Sequence, residues 1–166
     1  MTAQFSETIH YEGQQTSMCS NPLSDYFLIT GIDPKFEECC TALWRRYIGT
    51  WEIIDDRLYL IGLIGNVDGV PPTSTEHLLP GKLSLEVFFP GFPDRVFAHW
   101  YSGTLRLPQG EMLKYVHMGY GTSYERDLFV DIEKGVVIKT YLKQNRAPTA
   151  PYVQKWYEFA KRKKQA

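Results

Sequence analysis

Apolar and polar side chains alternate along most of this chain, and a period of two predicts strands. The pattern is plainest from Arg45 to Ile64, where RRYIGTWEII and RLYLIGLIG are runs joined at Asp55-Asp56, a short polar turn, and read as a β-hairpin. In the first run Tyr47, Trp51 and Ile53 share a face with Gly49, while Arg46, Thr50 and Glu52 take the other, which predicts one wet side. In the second, Leu58, Leu60 and Ile64 lie on one face and Tyr59, Ile61 and Leu63 on the other. Apolar residues on both faces predict a central strand.

The same reasoning places a long strand at Val96 to Leu107 and a shorter one at Met112 to Met118, with the proline-glycine turn LPQGE between them. Tyr124 to Ile132 and Val136 to Leu142 form a second hairpin across Glu133-Lys134-Gly135, where glycine suits the left-handed position of a three-residue loop with a bulge. Before Leu43, short β-like runs at Thr8 to Glu12 and Gln15 to Cys19 read as a small hairpin, and Gly13, Pro22, Gly31 and Pro34 as turns around it and a connector. Asn66 to Pro93, rich in proline and glycine, reads as a long connection holding one short element at Lys82 to Phe89, helix or strand. PYVQKWYEFAKRKK changes the period: Tyr152, Trp156 and Phe159 fall at helical spacing, so a C-terminal helix at 150–164 should pack across the sheet or its open end. The expected fold is mainly β within the α+β class: a strongly curved antiparallel sheet or partial β-barrel with a C-terminal helix. It forms a single domain over 1–166, divided into an N-terminal hairpin and connector at 1–42, a β core at 43–143 and the helix. Curvature follows from long strands with aromatic interiors, since closure also removes exposed edges.

Composition narrows the function classes. The chain has 166 residues, enough for one domain to form its own core, and its 14% aromatic content includes 11 tyrosines, so rings line much of the core or a binding surface. A formal net charge of −1 gives no whole-molecule attraction to nucleic acid or anionic membrane. MTAQFSETIHYEG has neither a basic start nor the apolar run of ~7–15 residues that a signal peptide needs, and no window approaches the ~18 apolar residues of a spanning helix. The expectation is a cytoplasmic protein, with Cys19, Cys39 and Cys40 as reduced thiols.

LWRRYIGTWEI, LYLIGLIG, VFAHWYSGTLRLPQG and YVHMGYGTSYERDLFVDIEKG, in that order, resemble a widespread group of uncharacterised single-domain bacterial proteins over roughly Leu43 to Val137. The resemblance implies a bacterial protein and transfers no activity, cofactor or partner.

Candidate chemistry lies mainly between Val96 and Ile132. His99, sharing a strand face with Phe97, Tyr101 and Leu105, is either a general base kept neutral among rings or a core histidine satisfied by a carbonyl. His117 stands in YVHMGYG, where Gly119 and Gly121 suit either a loop over a ligand or an ordinary turn. Glu125, Asp127 and Asp131 alternate on one strand face, as acid and base groups, as cation ligands or as a solvated side. Arg106, Gln109 and Glu111 flank the LPQGE turn; the arginine could take a phosphate or carboxylate bidentately or pair with a neighbouring strand. Histidines at 10, 77, 99 and 117 show no HExxH or HxH spacing, and Ser102 lacks a GxSxG frame, so no metal and no cofactor are expected.

The first expectation is a non-catalytic binding module with an aromatic-lined pocket drawing on Trp100, Tyr101, Arg106, Tyr115, Tyr120 and Tyr124, for a small molecule or a partner protein. The alternative is a small hydrolase or isomerase with His99 or His117 as base, supported by Glu111 or Glu125. A third reading is weak nucleic-acid binding through the basic cluster Lys161 to Lys164, which equally serves a helix C-terminus and solubility. Edge pairing into a homodimer is compatible with all three.

Overall fold

The computed structural model describes residues 2–71, 74–76 and 79–145. Among the described residues the protein is mainly β, at 51% strand and 9% helix. Strands β1 (Glu7–Tyr11) and β2 (Gln14–Met18) form the expected N-terminal hairpin, turning on Glu12 and Gly13, both at positive φ. The connector that follows contains a helix the strand patterns did not predict, α1 (Pro22–Thr30). It begins on a proline at its first turn and stops at Gly31, φ 71°.

Next come β3 (Tyr47–Ile54) and β4 (Arg57–Gly65), joined at Asp55-Asp56 as the sequence indicates. The connection from Asn66 holds β5 (Ser74–Glu76), β6 (Leu79–Leu83) and a 3₁₀ turn at Leu85–Val87, so the short element there is strand followed by helical turn. Then follow β7 (Val96–Phe97), β8 (Gly103–Lys114), β9 (Ser123–Glu133) and β10 (Val136–Gln144). The C-terminal helix expected at 150–164 lies outside the described residues.

Strands run in the order β2-β1-β3-β4-β10-β9-β8, with β6 and β7 also on β4, and β5 on β6. The sheet is mixed, which corrects the all-antiparallel expectation: β1 pairs with β3 in parallel. After β2 the chain carries α1 across and returns on the far side of β1, a long connection of the kind parallel neighbours require. β4 is the central strand, as its two apolar faces predicted.

The sheet is not closed. Its terminal strands meet instead through the chain leaving β2, where the Cys19 N–H donates to the Arg106 carbonyl at 2.8 Å and the Ser20 hydroxyl accepts from the Arg106 N–H at 3.2 Å.

Bulges reassign several faces. The β3–β4 register shifts between Thr50 and Trp51, leaving Ile61 as the extra residue; Leu63 therefore joins Leu58 and Leu60 in the core, and Ile64 leaves it. The run from Val96 to Leu107 is two strands with a turn at His99 and Trp100, so parity does not carry across it. Nor does LPQGE end a strand: β8 passes through it with a bulge after Gln109, and Tyr115 to Thr122 is a loop. In the last hairpin Val136 pairs directly with Glu133 across a two-residue turn, Lys134 and Gly135 at φ 48° and 82°, and the irregularity falls at Ile138 instead.

Much of the aromatic surplus lies in the core. Tyr26 and Phe27 of α1 meet Phe36, Tyr47, Phe88, Phe89 and Trp100, and the Phe89 and Trp100 rings stack at 5.7 Å. Beneath this layer Trp51, Leu58, Leu60, Leu105, Leu107 and Val130 are fully buried.

Candidate functional site

The geometry that matters most is the seam between β2 and β8. At one end it is sealed by buried polar groups; at the other it gapes.

The sealed end is built around Glu7, which β1 places on the core face with Ile9. Its side chain is 0% exposed. One carboxylate oxygen accepts from the Gly49 N–H at 2.7 Å and the Trp51 indole at 2.9 Å; the other accepts from Arg45 Nε at 2.7 Å. Glycine at 49 has a steric reason, because a Cβ there would overlap the Glu7 carboxylate. Burial pushes Glu7 up to about 7, with the Arg45 charge and the donors from Trp51, Arg45 and Gly49 offsetting only part of the desolvation. Arg45 Nη2 stands 2.7 Å from the same oxygen but makes no aligned hydrogen bond, while Nη1 donates to the Phe5 carbonyl.

Two tyrosines close the layer. The Tyr47 hydroxyl lies 2.5 Å from that of Ser24, and the Tyr120 hydroxyl donates to Asn21 Oδ1 at 2.7 Å. Burial holds both phenols above their ordinary range, Tyr120 at about 12.

Next to these, Arg106 reaches out from β8. Nε donates to Asp127 at 2.9 Å, and the two terminal nitrogens donate to the carbonyls of Tyr120 and Thr122. Asp127 also accepts from the Asn145 amide. One guanidinium therefore pins the Tyr115 to Thr122 loop to the sheet, a task suited to a rigid donor fork. The Glu7 and Asp127 carboxylates here are both engaged by donors, so this end is a clamp.

The open end is a cleft of about 440 Å³. Tyr11, Glu12, Gln14, Gln15 and Thr16 form one wall, Gln109 and Arg126 the other, and Leu128 contributes apolar surface over the buried Leu107. The seam parts because Pro108 has no N–H to give an opposing strand, and Gly110, at φ 82°, sits in the β8 bulge. Burial, with the Glu12 and Asp56 carboxylates, raises Tyr11 above its ordinary value, so its hydroxyl stays protonated at neutral pH.

The residues singled out from sequence fall in different places. His99 is exposed in the turn after β7, its ring 5.6 Å from that of Trp100. His117 is exposed too, 3.0 Å from the Tyr115 hydroxyl, and Glu111 is exposed on β8. Glu125 is half-buried, 3.6 Å from Arg126. Trp100 is packed in the core layer with its indole donating to the Pro22 carbonyl, and Tyr101 is buried with its hydroxyl on the Thr104 carbonyl. Tyr124 is half-buried and offers its carbonyl to Asn145. Arg106 and Tyr120 meet within the clamp, His117 meets Tyr115 on the exposed loop and His99 meets Trp100 at the turn, so these residues are dispersed rather than gathered in one aromatic concavity.

Missed from sequence were Glu7, Arg45 and the glutamine-rich cleft. A signal existed for Glu7: in ETIHY it alternates with Ile9 and Tyr11, a carboxylate on the core parity. Among the described residues no group of three histidine, cysteine or carboxylate side chains could hold a metal ion, and no helix is long and apolar enough to cross a membrane. Comparison with protein-family models, curated proteins and solved structures finds no match.

Proposed function

We propose that the protein is a non-catalytic binding module of the bacterial cytoplasm whose seat for a small polar molecule is the seam cleft. The observation that carries this reading is the convergence of side chains bearing hydroxyl, amide and guanidinium groups, Tyr11, Gln14, Gln109 and Arg126, beside apolar Leu128. Such a lining matches a ligand rich in hydroxyls or amides better than a flat aromatic one. The candidate bases His99 and His117 do not line the cleft, and the buried carboxylates of the clamp already accept from their neighbours. In this reading the curved sheet is a partial β-barrel.

Native mass spectrometry of gently purified full-length protein is the test. A retained small molecule is expected, and the Gln109→Ala/Arg126→Ala variant should bind it at least about tenfold more weakly, equivalent to roughly 1.4 kcal/mol. A bare mass, together with no thermal shift from a panel of sugars, nucleosides and amino acids, would overturn the proposal.

A further inference from the structure

β10 ends in an unguarded edge. It pairs with β9 as far as Gln144↔Arg126, but with β4 only at Val136↔Arg57. From Ile138 to Gln144 the other edge has no ladder partner among the described residues, and every one of these residues is exposed, Ile138 at 60% and Leu142 at 50%. Alternate backbone N–H and C=O groups there face outward, a template for another strand.

The side chains along this edge specify what would pair. Lys139, Tyr141 and Lys143 alternate on one face, and the Tyr141 ring stacks on Phe129 at 5.3 Å. Neither lysine is in an ion pair among the described residues. The carboxylates across the ladder are already bound: Asp127, opposite Lys143, by Arg106 and Asn145, and Asp131, opposite Lys139, by the Thr104 hydroxyl at 2.7 Å. The sequence beyond is basic as well, with Arg146, Lys155 and the run Lys161 to Lys164 against the single acidic side chain Glu158, in a protein whose net charge is −1. Positive charge is thus concentrated on β10 and the chain after it.

A second copy is a poor match. Antiparallel self-pairing centred on Tyr141 sets Lys139 directly opposite Lys143, and like charges facing across a ladder are destabilising. We propose that the Lys139–Gln144 edge takes up an extended acidic segment of a partner protein as an added strand. Backbone hydrogen bonds would supply the affinity and carboxylates facing the two lysines the selectivity, with a central ring or branched side chain set opposite Tyr141, over which the Lys139 ammonium lies at 5.1 Å.

The experiment uses the full chain and a fluorescein-labelled decapeptide alternating glutamate with valine, with tyrosine at its centre, read by fluorescence anisotropy at low salt. Binding is expected, with slowed amide exchange at 140–144. The Lys139→Glu/Lys143→Glu variant, its thermal midpoint unchanged because both positions are exposed, should bind at least about tenfold more weakly. Methylating alternate peptide amides should abolish binding in one of the two phases and spare it in the other. No binding, equal binding to the charge-reversed variant, or indifference to methylation in both phases would each overturn the proposal. So would an oligothymidylate that displaces the peptide and binds more tightly, which would make the basic surface a nucleic-acid site. A dimer whose formation exposes the peptide as a competitor would overturn it in favour of self-association.

Discussion

β3 and β10 carry similar patterns, YIGTWEII and VVIKTYLKQ, yet they lead opposite lives. In β3, Tyr47 and Trp51 are 2% and 0% exposed; in β10, Tyr141 is 41% exposed. Both strands are made of branched and aromatic residues alternating with polar ones, so propensity does not separate them. The difference is what stands beside each. β3 has β1 along one edge and β4 along the other, and Phe27 of α1 packs on its Tyr47. β10 has β9 along its length and little else. Burial in a sheet belongs to the neighbours a strand is given, and an alternating strand without them is a binding edge.

The contrast can be broken hardest at the buried end. Arg45→Met removes the cation from a carboxylate that water does not reach, and breaking such a pair costs roughly 3–5 kcal/mol. Chemical denaturation at about pH 8 should show that loss, and a smaller one near pH 5, where a protonated Glu7 has no charge to strand. Equal losses at both values would mean that Arg45 acts through packing alone.

Glu7 itself sharpens the comparison. Its folded pKa of about 7 lies above the ordinary value of 4.5, so its contribution to stability is fully present below that lower value and is lost as pH rises through about 7. The stability difference between the parent protein and Glu7→Gln should therefore shift by roughly 3 kcal/mol in favour of the variant between about pH 4 and pH 8. A difference that does not vary with pH would show that folding leaves the Glu7 pKa unchanged.

Smallest are the effects on β10. Ile138→Thr and Leu142→Ser should change stability by no more than about 0.5 kcal/mol, the range of ordinary surface substitutions. Losses near 2 kcal/mol, read in the same denaturation experiment, would mean that another part of the chain covers this face.

How far the fold could be read depended on how local each feature was. Both long hairpins were legible because their turns carry the residues that turns require, Asp55-Asp56 and Lys134-Gly135, between alternating runs. α1 was hidden although Pro22 and Gly31 bracket it, because Leu28 stands 83% exposed and blurs the apolar stripe. Parity failed where a bulge intervened: Ile61 exchanges Leu63 with Ile64, and no single residue announces it. His99 was assigned to a ring-lined face on the assumption of an unbroken strand, and the turn at His99 and Trp100 carries it to the surface. Of the site, Arg106 and Tyr120 were recognised as residues but not as members of a clamp, since their meeting is not written in spacing.

Taken alone, the amino-acid sequence determined a β-rich domain, its two long hairpins, the central place of β4 and an aromatic-rich interior. Those follow from a period of two and from turn chemistry, which act over a few residues. Tertiary structure decided the parallel β1–β3 pair, the burial of Glu7 against Arg45, the seam that parts at Pro108 and Gly110, and the exposure of β10. Each joins segments far apart in the chain, as when the Tyr120 hydroxyl meets the Phe5 carbonyl 115 residues away. Only the packing of the whole sheet selects such contacts, because desolvation and hydrogen-bond satisfaction are properties of the assembled neighbours and not of any one strand.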